Sequence, residues 1–225
     1  GNNASVLLAN KILLEFLHGG NGTALEIVIA SGGLKALVYL ISLVAKDKHL
    51  ELVYSALDGI QTVLSSSEGL SKNNLCNLFC EMGLLPGLAF ALSILAKGTG
   101  KEPRQKKMLS YANNVVDVLT FFANGDSGVK FHLTAGSVLD NLIAVLQTKG
   151  AGPGTESLAI IHTKLLQVIR LLAMDSTTLE SMEKCGIVKT LVFFMTTARH
   201  RSVSLLILFY LVRLSTKRQV AAARS

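Results

Sequence analysis

Hydrophobic residues recur along this chain at intervals of three and four positions. The segment that opens at Thr155 shows the pattern best, with one apolar stripe made of Leu158, Ile161, Leu165, Val168, Ile169 and Leu172. Such spacing is typical of an amphipathic α-helix that buries one side. The period continues over nearly the whole sequence, whereas the alternation expected of β-strands is weak. The pattern therefore predicts an all-α protein.

Glycines mark four predicted corners between a short helix and a second apolar helix. They are Gly32, Gly83, Gly136 and Gly186, at separations of 51, 53 and 50 residues. A tight corner needs a residue in the left-handed region, which only glycine adopts cheaply. The next anchoring leucine is five positions on in three segments and six after Gly136. Ordinary helix ends in a bundle are the alternative, but matched flanks at near-equal spacing favour an internal repeat.

A third, longer helix is predicted after each pair. The predicted ranges are 48–65, 105–123, 157–173 and 202–215, and an isolated helix at 5–17 precedes the first pair. Residues 97–104 and 148–154 have the composition of surface loops, and the apolar pattern resumes in phase after both. We therefore expect residues 1–225 to form one domain of about four repeats plus a leading helix. The start at Gly1-Asn2-Asn3, without an initiator methionine, indicates a fragment of a longer protein.

This short, medium and long triplet resembles the armadillo repeat. In that family a short helix ends in glycine, an apolar helix of the form Leu-Val-x-Leu follows, and a long helix with an apolar end completes the repeat. Leu37-Val-Tyr-Leu40 and Leu191-Val-Phe-Phe194 match the second helix. The resemblance implies a right-handed α-solenoid whose third helices line a concave surface, where a peptide or helix of a partner protein binds. It thus implies a non-catalytic scaffold for protein–protein interaction.

Two more specific resemblances bear on the partner. Residues 166–191 are similar to helical repeats found C-terminal to septation and mitotic-exit network kinases, which implies a regulatory or localisation module of a larger kinase as an alternative. Armadillo proteins that bind basic targeting peptides carry an asparagine near the end of the third helix, with tryptophan four residues before it. The equivalent positions here hold Phe16, Val63, Phe121 and Leu171, and the chain has no tryptophan. The resemblance therefore does not imply that this chain binds basic peptides.

Charge is distributed unevenly along the chain. The formal net charge is +7, and residues 184–225 contain eight basic residues and no acidic one. Arginine binds carboxylates and phosphates through paired hydrogen bonds, so we expect an acidic or phosphorylated partner segment. The predicted partner-binding residues are Thr120, Lys164, Arg170, Arg201, Arg213, Lys217 and Arg218.

Other roles for these charges stay open. They could solvate the outer face of the last repeat, or bind nucleic acid or an anionic membrane, which strongly salt-dependent binding would reveal. Aromatic residues that could stack on bases are not interleaved with them, so we do not expect nucleic acid. End helices of a solenoid fragment expose apolar faces, so self-association is a further expectation. The residues expected to be partly uncovered there are Leu205, Leu206, Leu208, Phe209 and Leu211.

Residues with catalytic or metal-binding chemistry do not cluster in the sequence. The five histidines are scattered, none lies in a His-Glu-x-x-His pattern, and no phosphate-binding glycine loop occurs. Three cysteines are too few for a disulfide framework, and an odd number cannot all pair. Cys76 and Cys80 lack the two further ligands nearby that a metal site would need. The longest apolar run has eight residues, where a membrane span needs about 20. We expect an intracellular protein, in cytoplasm or nucleus, with no enzymatic activity, cofactor, metal or transmembrane segment.

Overall fold

The computed structural model describes residues 2–19, 22–65, 71–99, 101–149, 155–197 and 199–222. These residues form thirteen α-helices and two short 3₁₀ turns (Ser42–Ala45 and Asp47–His49), with no β-strand among them, which confirms the predicted all-α class. The helices are α1 (Asn2–Gly19), α2 (Gly22–Ala30), α3 (Gly33–Ile41), α4 (Leu50–Ser65), α5 (Lys72–Glu81), α6 (Leu84–Leu95), α7 (Glu102–Ala123), α8 (Ser127–Leu133), α9 (Gly136–Leu146), α10 (Thr155–Ala173), α11 (Leu179–Lys184), α12 (Ile187–Met195) and α13 (Arg201–Ala222).

After α1, the helices follow one another in four triplets, each of which ends in the longest helix. The first and second helices of the first three triplets meet at bends of 68°, 78° and 65°. The predicted third helices are confirmed as α4, α7, α10 and α13, each starting within three residues of its predicted position. The last one continues to Ala222 instead of ending at residue 215, because its final residues include neither glycine nor proline to stop it.

Three of the four predicted glycine corners are confirmed. Gly32, Gly83 and Gly186 adopt left-handed conformations, with φ of 78°, 76° and 74°, directly before α3, α6 and α12. The prediction for Gly136 is wrong, because this residue is the first of α9 and has no positive φ. Ala135 precedes it in an extended conformation, with φ −64° and ψ 124°, which any residue adopts. This corner therefore does not need a left-handed glycine.

Buried apolar side chains form one continuous core from Leu25 on α2 to Leu211 on α13. All six residues of the predicted stripe on α10 are buried. At the last helix Leu205, Leu206 and Phe209 are exposed as expected, and Leu208 is half-buried. The expectation for Leu211 is wrong, since only 4% of it is accessible. It lies one helical turn after the buried Ile207 and so shares the face of α13 that packs inward.

Helices that hold the same place in successive triplets, second or third, contact each other in chain order. The third helices and α1 form a row α1–α4–α7–α10–α13, and the second helices form a row α3–α6–α9–α12. Polar contacts between successive triplets join residues 37 to 56 positions apart, close to the spacing of the corners. They include Glu51–Lys107, Asp58–Tyr111, Asn73–Asp126, Asp117–Lys164, Ser127–Asp175, Gln147–Thr190 and Thr163–His200. Asn10 on α1 bonds in the same way to Ser55 on α4.

Within the described residues, no single helix combines the length and the apolarity that a bilayer crossing requires.

Candidate partner-binding groove

A groove of about 490 Å³ opens where α4, α5 and α7 come together. Its lining residues are Gln61, Leu64, Ser65, Lys72, Asp117, Val118 and Phe121. Leu64 and Val118 are buried and Phe121 is half-buried, so these three provide its apolar surface. Lys72 and Asp117 are exposed and bring opposite charges to its edge. The volume is in the range of pockets that bind small molecules or several side chains of a partner.

Helical periodicity places these residues side by side. Gln61, Leu64 and Ser65 share one face near the end of α4, and Asp117, Val118 and Phe121 share one face of α7. The two faces meet because α4 and α7 are neighbours in the row of third helices. Lys72 is the first residue of α5 and enters the groove from the next triplet.

Aromatic and polar contacts fix α4 against α7 beside the groove. The rings of Tyr54 and Tyr111 are stacked, with centroids 4.1 Å apart. The Tyr111 hydroxyl donates to Asp58 Oδ2 at 3.1 Å, and Gln61 Nε2 donates to the Asn114 carbonyl at 3.4 Å. Burial and the nearby carboxylate raise the pKa of Tyr111 to about 12, so the phenol keeps the proton that it donates. Burial raises the pKa of the Asp58 carboxyl, although the hydrogen bond from Tyr111 opposes that shift.

The two charged residues at the edge of the groove, Lys72 and Asp117, make different contacts. The Lys72 ammonium lies 5.8 Å from the centroid of the Phe121 ring, within the range of a cation–π contact. Asp117 Oδ1 forms an ion pair with Lys164 Nζ at 2.7 Å, and Asp117 Oδ2 accepts from Asn113 Nδ2 at 3.3 Å. Asn113 Oδ1 is buried without a hydrogen-bond partner in the described part of the chain. The groove thus combines apolar surface, the ammonium group of Lys72 and the carboxylate of Asp117, which is already paired.

Three predicted site residues lie on the third helices that form or adjoin the groove. Thr120 is next to Phe121 on α7, but its hydroxyl donates to the Val116 carbonyl of its own helix at 2.8 Å. Lys164 on α10 reaches the groove only through its ion pair with Asp117. Arg170, also on α10, is half-buried and its Nε donates to Gln167 Oε1 at 2.9 Å.

The other predicted site residues belong to α13, two helices further along the row. Arg201 is exposed at its start, where its Nε donates to the Met195 carbonyl at 3.1 Å. Arg213 is exposed three turns later. The side chains of Lys217 and Arg218 lie outside the described residues. The structure therefore does not gather the predicted basic residues around the groove.

Sequence reasoning missed Gln61, Lys72 and Asp117. The predicted Thr120 and Arg170 each come one residue before the aligned Phe121 and Leu171. The same step on α4 leads from Val63 to Thr62, which is buried, and not to Gln61. A shift of one residue turns the chosen face by about 100°. Asp117 could have been found by extending the chosen face of α7 one turn toward its start. Lys72 belongs to a first helix, so an alignment of third helices gave no signal for it.

Two histidines lie between α10, α12 and α13. His162 Nε2 donates to the Val145 carbonyl at 2.9 Å, and His200 Nε2 lies 2.9 Å from Thr163 Oγ1. Burial lowers the pKa of both rings, so both are held neutral. His200 Nδ1 is buried without a hydrogen-bond partner among the described residues. Both rings pack edge-on against Phe194, which makes them part of the core.

The described residues contain no group of three or more His, Cys, Asp or Glu side chains that could hold a metal ion. Cys76 is buried and Cys80 half-buried, and burial raises the pKa of these thiols to about 11 and about 12. Both are therefore protonated near neutral pH, when they are poor nucleophiles and poor metal ligands.

No protein-family model matches this chain, and comparison with curated proteins finds no relative.

Proposed function

We propose that this chain is a non-catalytic protein-interaction module, built as a right-handed solenoid of armadillo-like repeats in one domain over residues 1–225. The rows of second and of third helices support this architecture, since each triplet buries its apolar face against the next. The polar contacts between residues about one repeat apart support it as well. An intracellular location is part of the proposal, in keeping with three free cysteines.

The groove between α4, α5 and α7 is the observation that carries the proposed function. It lies on the third helices, which line the concave surface in the proposed architecture. A partner segment crosses α4 and α7 there and places an apolar side chain on Leu64, Val118 and Phe121. Gln61 and Ser65 line the same groove and offer polar groups to the backbone of that segment.

Charge at the groove favours an acidic or phosphorylated partner segment. Lys72 is exposed beside the apolar surface and pairs with a carboxylate or phosphate of the partner. Lys164 contributes less, because Asp117 already neutralises it. Arg170 and Arg213 extend the positive charge along the third helices toward the C-terminal triplet.

Peptide selection followed by affinity measurement tests the proposal. Peptides are selected from a displayed random library with the whole chain, at low and high salt, and the dissociation constant of a selected peptide is measured by fluorescence anisotropy. We expect acidic peptides with a large apolar residue, and an affinity loss on the order of tenfold or more for Lys72→Glu with Phe121→Ala. The control pair Lys106→Glu with Ile160→Ala changes one exposed lysine and one exposed apolar residue elsewhere, and should bind as the unaltered chain does.

Two outcomes would overturn the groove assignment. One is a selected peptide that binds the groove variant unchanged but loses affinity for Arg170→Glu with Arg213→Glu, which would move the site to the C-terminal triplets. The other is selection, at low salt only, of many unrelated acidic peptides, which would make the chain a non-specific polycation. Circular dichroism of each variant establishes that it is folded.

A further inference from the structure

The second helices expose an aromatic residue at the same position in three of the four triplets. Tyr39, Phe90 and Phe193 each lie seven residues after the left-handed corner glycine, and 64%, 40% and 62% of them is accessible. In α9, where the anchoring leucine comes one position later, the equivalent residue is Ala144, which is also exposed. Because α3, α6, α9 and α12 contact one another in order, these positions form one row on one face.

Hydroxyl groups beside the three rings repeat the same local contact. Ser42 donates to the Tyr39 carbonyl at 2.6 Å and Ser93 to the Phe90 carbonyl at 2.7 Å. Thr196 makes the same contact with the Phe193 carbonyl at 2.7 Å. The hydroxyls are therefore engaged by their own helices, and the rings are the groups that the face presents to solvent.

The segments that carry the row are rich in positive charge. Six basic residues lie on the second helices or directly after them, and all six are exposed without an ion pair in the described part of the chain. The same segments, residues 33–46, 84–97, 136–149 and 187–199, contain one acidic residue, Asp140. The six are Lys35, Lys46, Lys97, Lys149, Lys189 and Arg199.

We propose that this second-helix face docks on an anionic membrane surface. Tyrosine and phenylalanine rings that project from a surface enter the boundary between headgroups and acyl chains, and nearby lysines are attracted by anionic headgroups. Five of the six cations are lysines, whose compact charge suits a diffuse anionic surface better than paired recognition of one carboxylate or phosphate.

The spacing and surroundings of the rings favour lipid over other acidic partners. Adjacent packed helices lie about 8–10 Å apart, so rings on successive second helices are too far apart to stack on consecutive bases of a nucleic acid. The three cavities described on the molecule are not lined by these rings, which project from the face with 40% to 64% of each accessible. A lipid boundary accepts projecting rings without a matching pocket.

Sedimentation of the whole chain with vesicles tests the proposal. We expect binding to vesicles of phosphatidylcholine mixed with phosphatidylserine, little binding to phosphatidylcholine alone, and weaker binding as salt rises above about 0.1 M. The triple variant Tyr39→Ser, Phe90→Ser and Phe193→Ser should lower the partition coefficient on the order of tenfold or more. The charge variant Lys35→Glu, Lys97→Glu and Lys189→Glu should lower it on the order of a hundredfold.

Control variants separate the face from the chain's overall charge and from the groove. Lys11→Glu, Lys101→Glu and Lys106→Glu change the net charge equally at exposed lysines on or beside α1 and α7, and should reduce binding far less. Phe121→Ala alters the groove and should leave vesicle binding unchanged.

Any of three results would overturn the proposal. The first is absence of binding to the mixed vesicles, and the second is equal loss of binding in the charge variant and its control. The third is binding of single-stranded RNA that depends on the three rings and competes with vesicles, which would assign the face to nucleic acid.

Discussion

Alanine at Gly83 and at Gly136 should change stability in opposite directions, although both glycines stand at the start of a second helix. Gly83 has φ of 76°, and an added Cβ there would meet no heavy atom within 4 Å. The only penalty for Gly83→Ala is therefore backbone strain, about 1–2 kcal/mol in the left-handed region. Gly136 has no positive φ, and an added Cβ is equally free of contacts.

The unfolded chain affects both variants equally. Replacing glycine by alanine restricts the unfolded chain and stabilises the folded one by about 0.4–1 kcal/mol at a compatible site. Gly136→Ala should therefore raise the free energy of unfolding by this amount. In Gly83→Ala the backbone strain outweighs the same gain, so the free energy of unfolding should fall by about 1 kcal/mol. The difference between the two free energies of unfolding is then the strain alone, about 1–2 kcal/mol.

Urea unfolding followed by far-ultraviolet circular dichroism measures that difference. Gly83→Asn serves as a second comparison, since asparagine enters the left-handed region more readily than alanine and should lose less stability. Equal destabilisation by Gly83→Ala and Gly136→Ala would refute the reasoning, because it would require the same left-handed corner at both positions.

Three further perturbations test the buried polar and titratable groups. Burial lowers the pKa of His162, so the unfolded chain binds more protons than the folded one, and stability should fall as pH drops through about 6.5. Melting temperatures measured against pH test this, and His162→Gln should weaken the pH dependence. Tyr111→Phe removes the donor to Asp58, which should cost about 1 kcal/mol in urea unfolding and raise the Asp58 pKa in a carboxyl NMR titration. Cys76 and Cys80, with pKa about 11 and about 12, should react with iodoacetamide slowly when folded and fast in urea, as mass spectrometry of the adducts would show.

A specific result would contradict each of these three predictions. Melting temperatures that do not change between pH 7.5 and 5.5, about one unit to either side of an ordinary histidine pKa, would mean that the His162 ring is solvated in the folded protein. An Asp58 titration that is the same with Tyr111 and with Phe would mean that the phenol does not bond to the carboxylate. Equal alkylation rates with and without urea would place the thiols at the surface.

Much of the fold could be predicted because each helix carries its own signal. Apolar residues at spacings of three and four identified the long third helices, and the left-handed glycines marked three of the corners. Gly136 was mispredicted because its sequence context matches the others while its backbone does not. A residue type that permits a left-handed conformation does not require one. The extended conformation of Ala135 provides a corner by another route.

The candidate groove was less predictable because it depends on contacts between triplets. Lys164 was predicted to bind a partner protein, but Asp117 lies 47 positions earlier and pairs with it. Lys72 lies on the first helix and Phe121 on the third helix of the same triplet, 49 positions apart, and only packing brings them together. Periodicity within one helix cannot reveal such pairings. A shift of one residue along α4 also exchanges the half-buried Gln61, which lines the groove, for the buried Thr62.

The polar contacts between successive triplets also constrain how the chain folds. Those described above join residues at most 56 positions apart, so each links elements about one triplet apart. In the proposed solenoid, one folded triplet can therefore serve as a template for the next. The terminal helices have neighbours on one side only and should open first, so amide hydrogens of α1 and α13 should exchange with solvent sooner than those of α6 and α7.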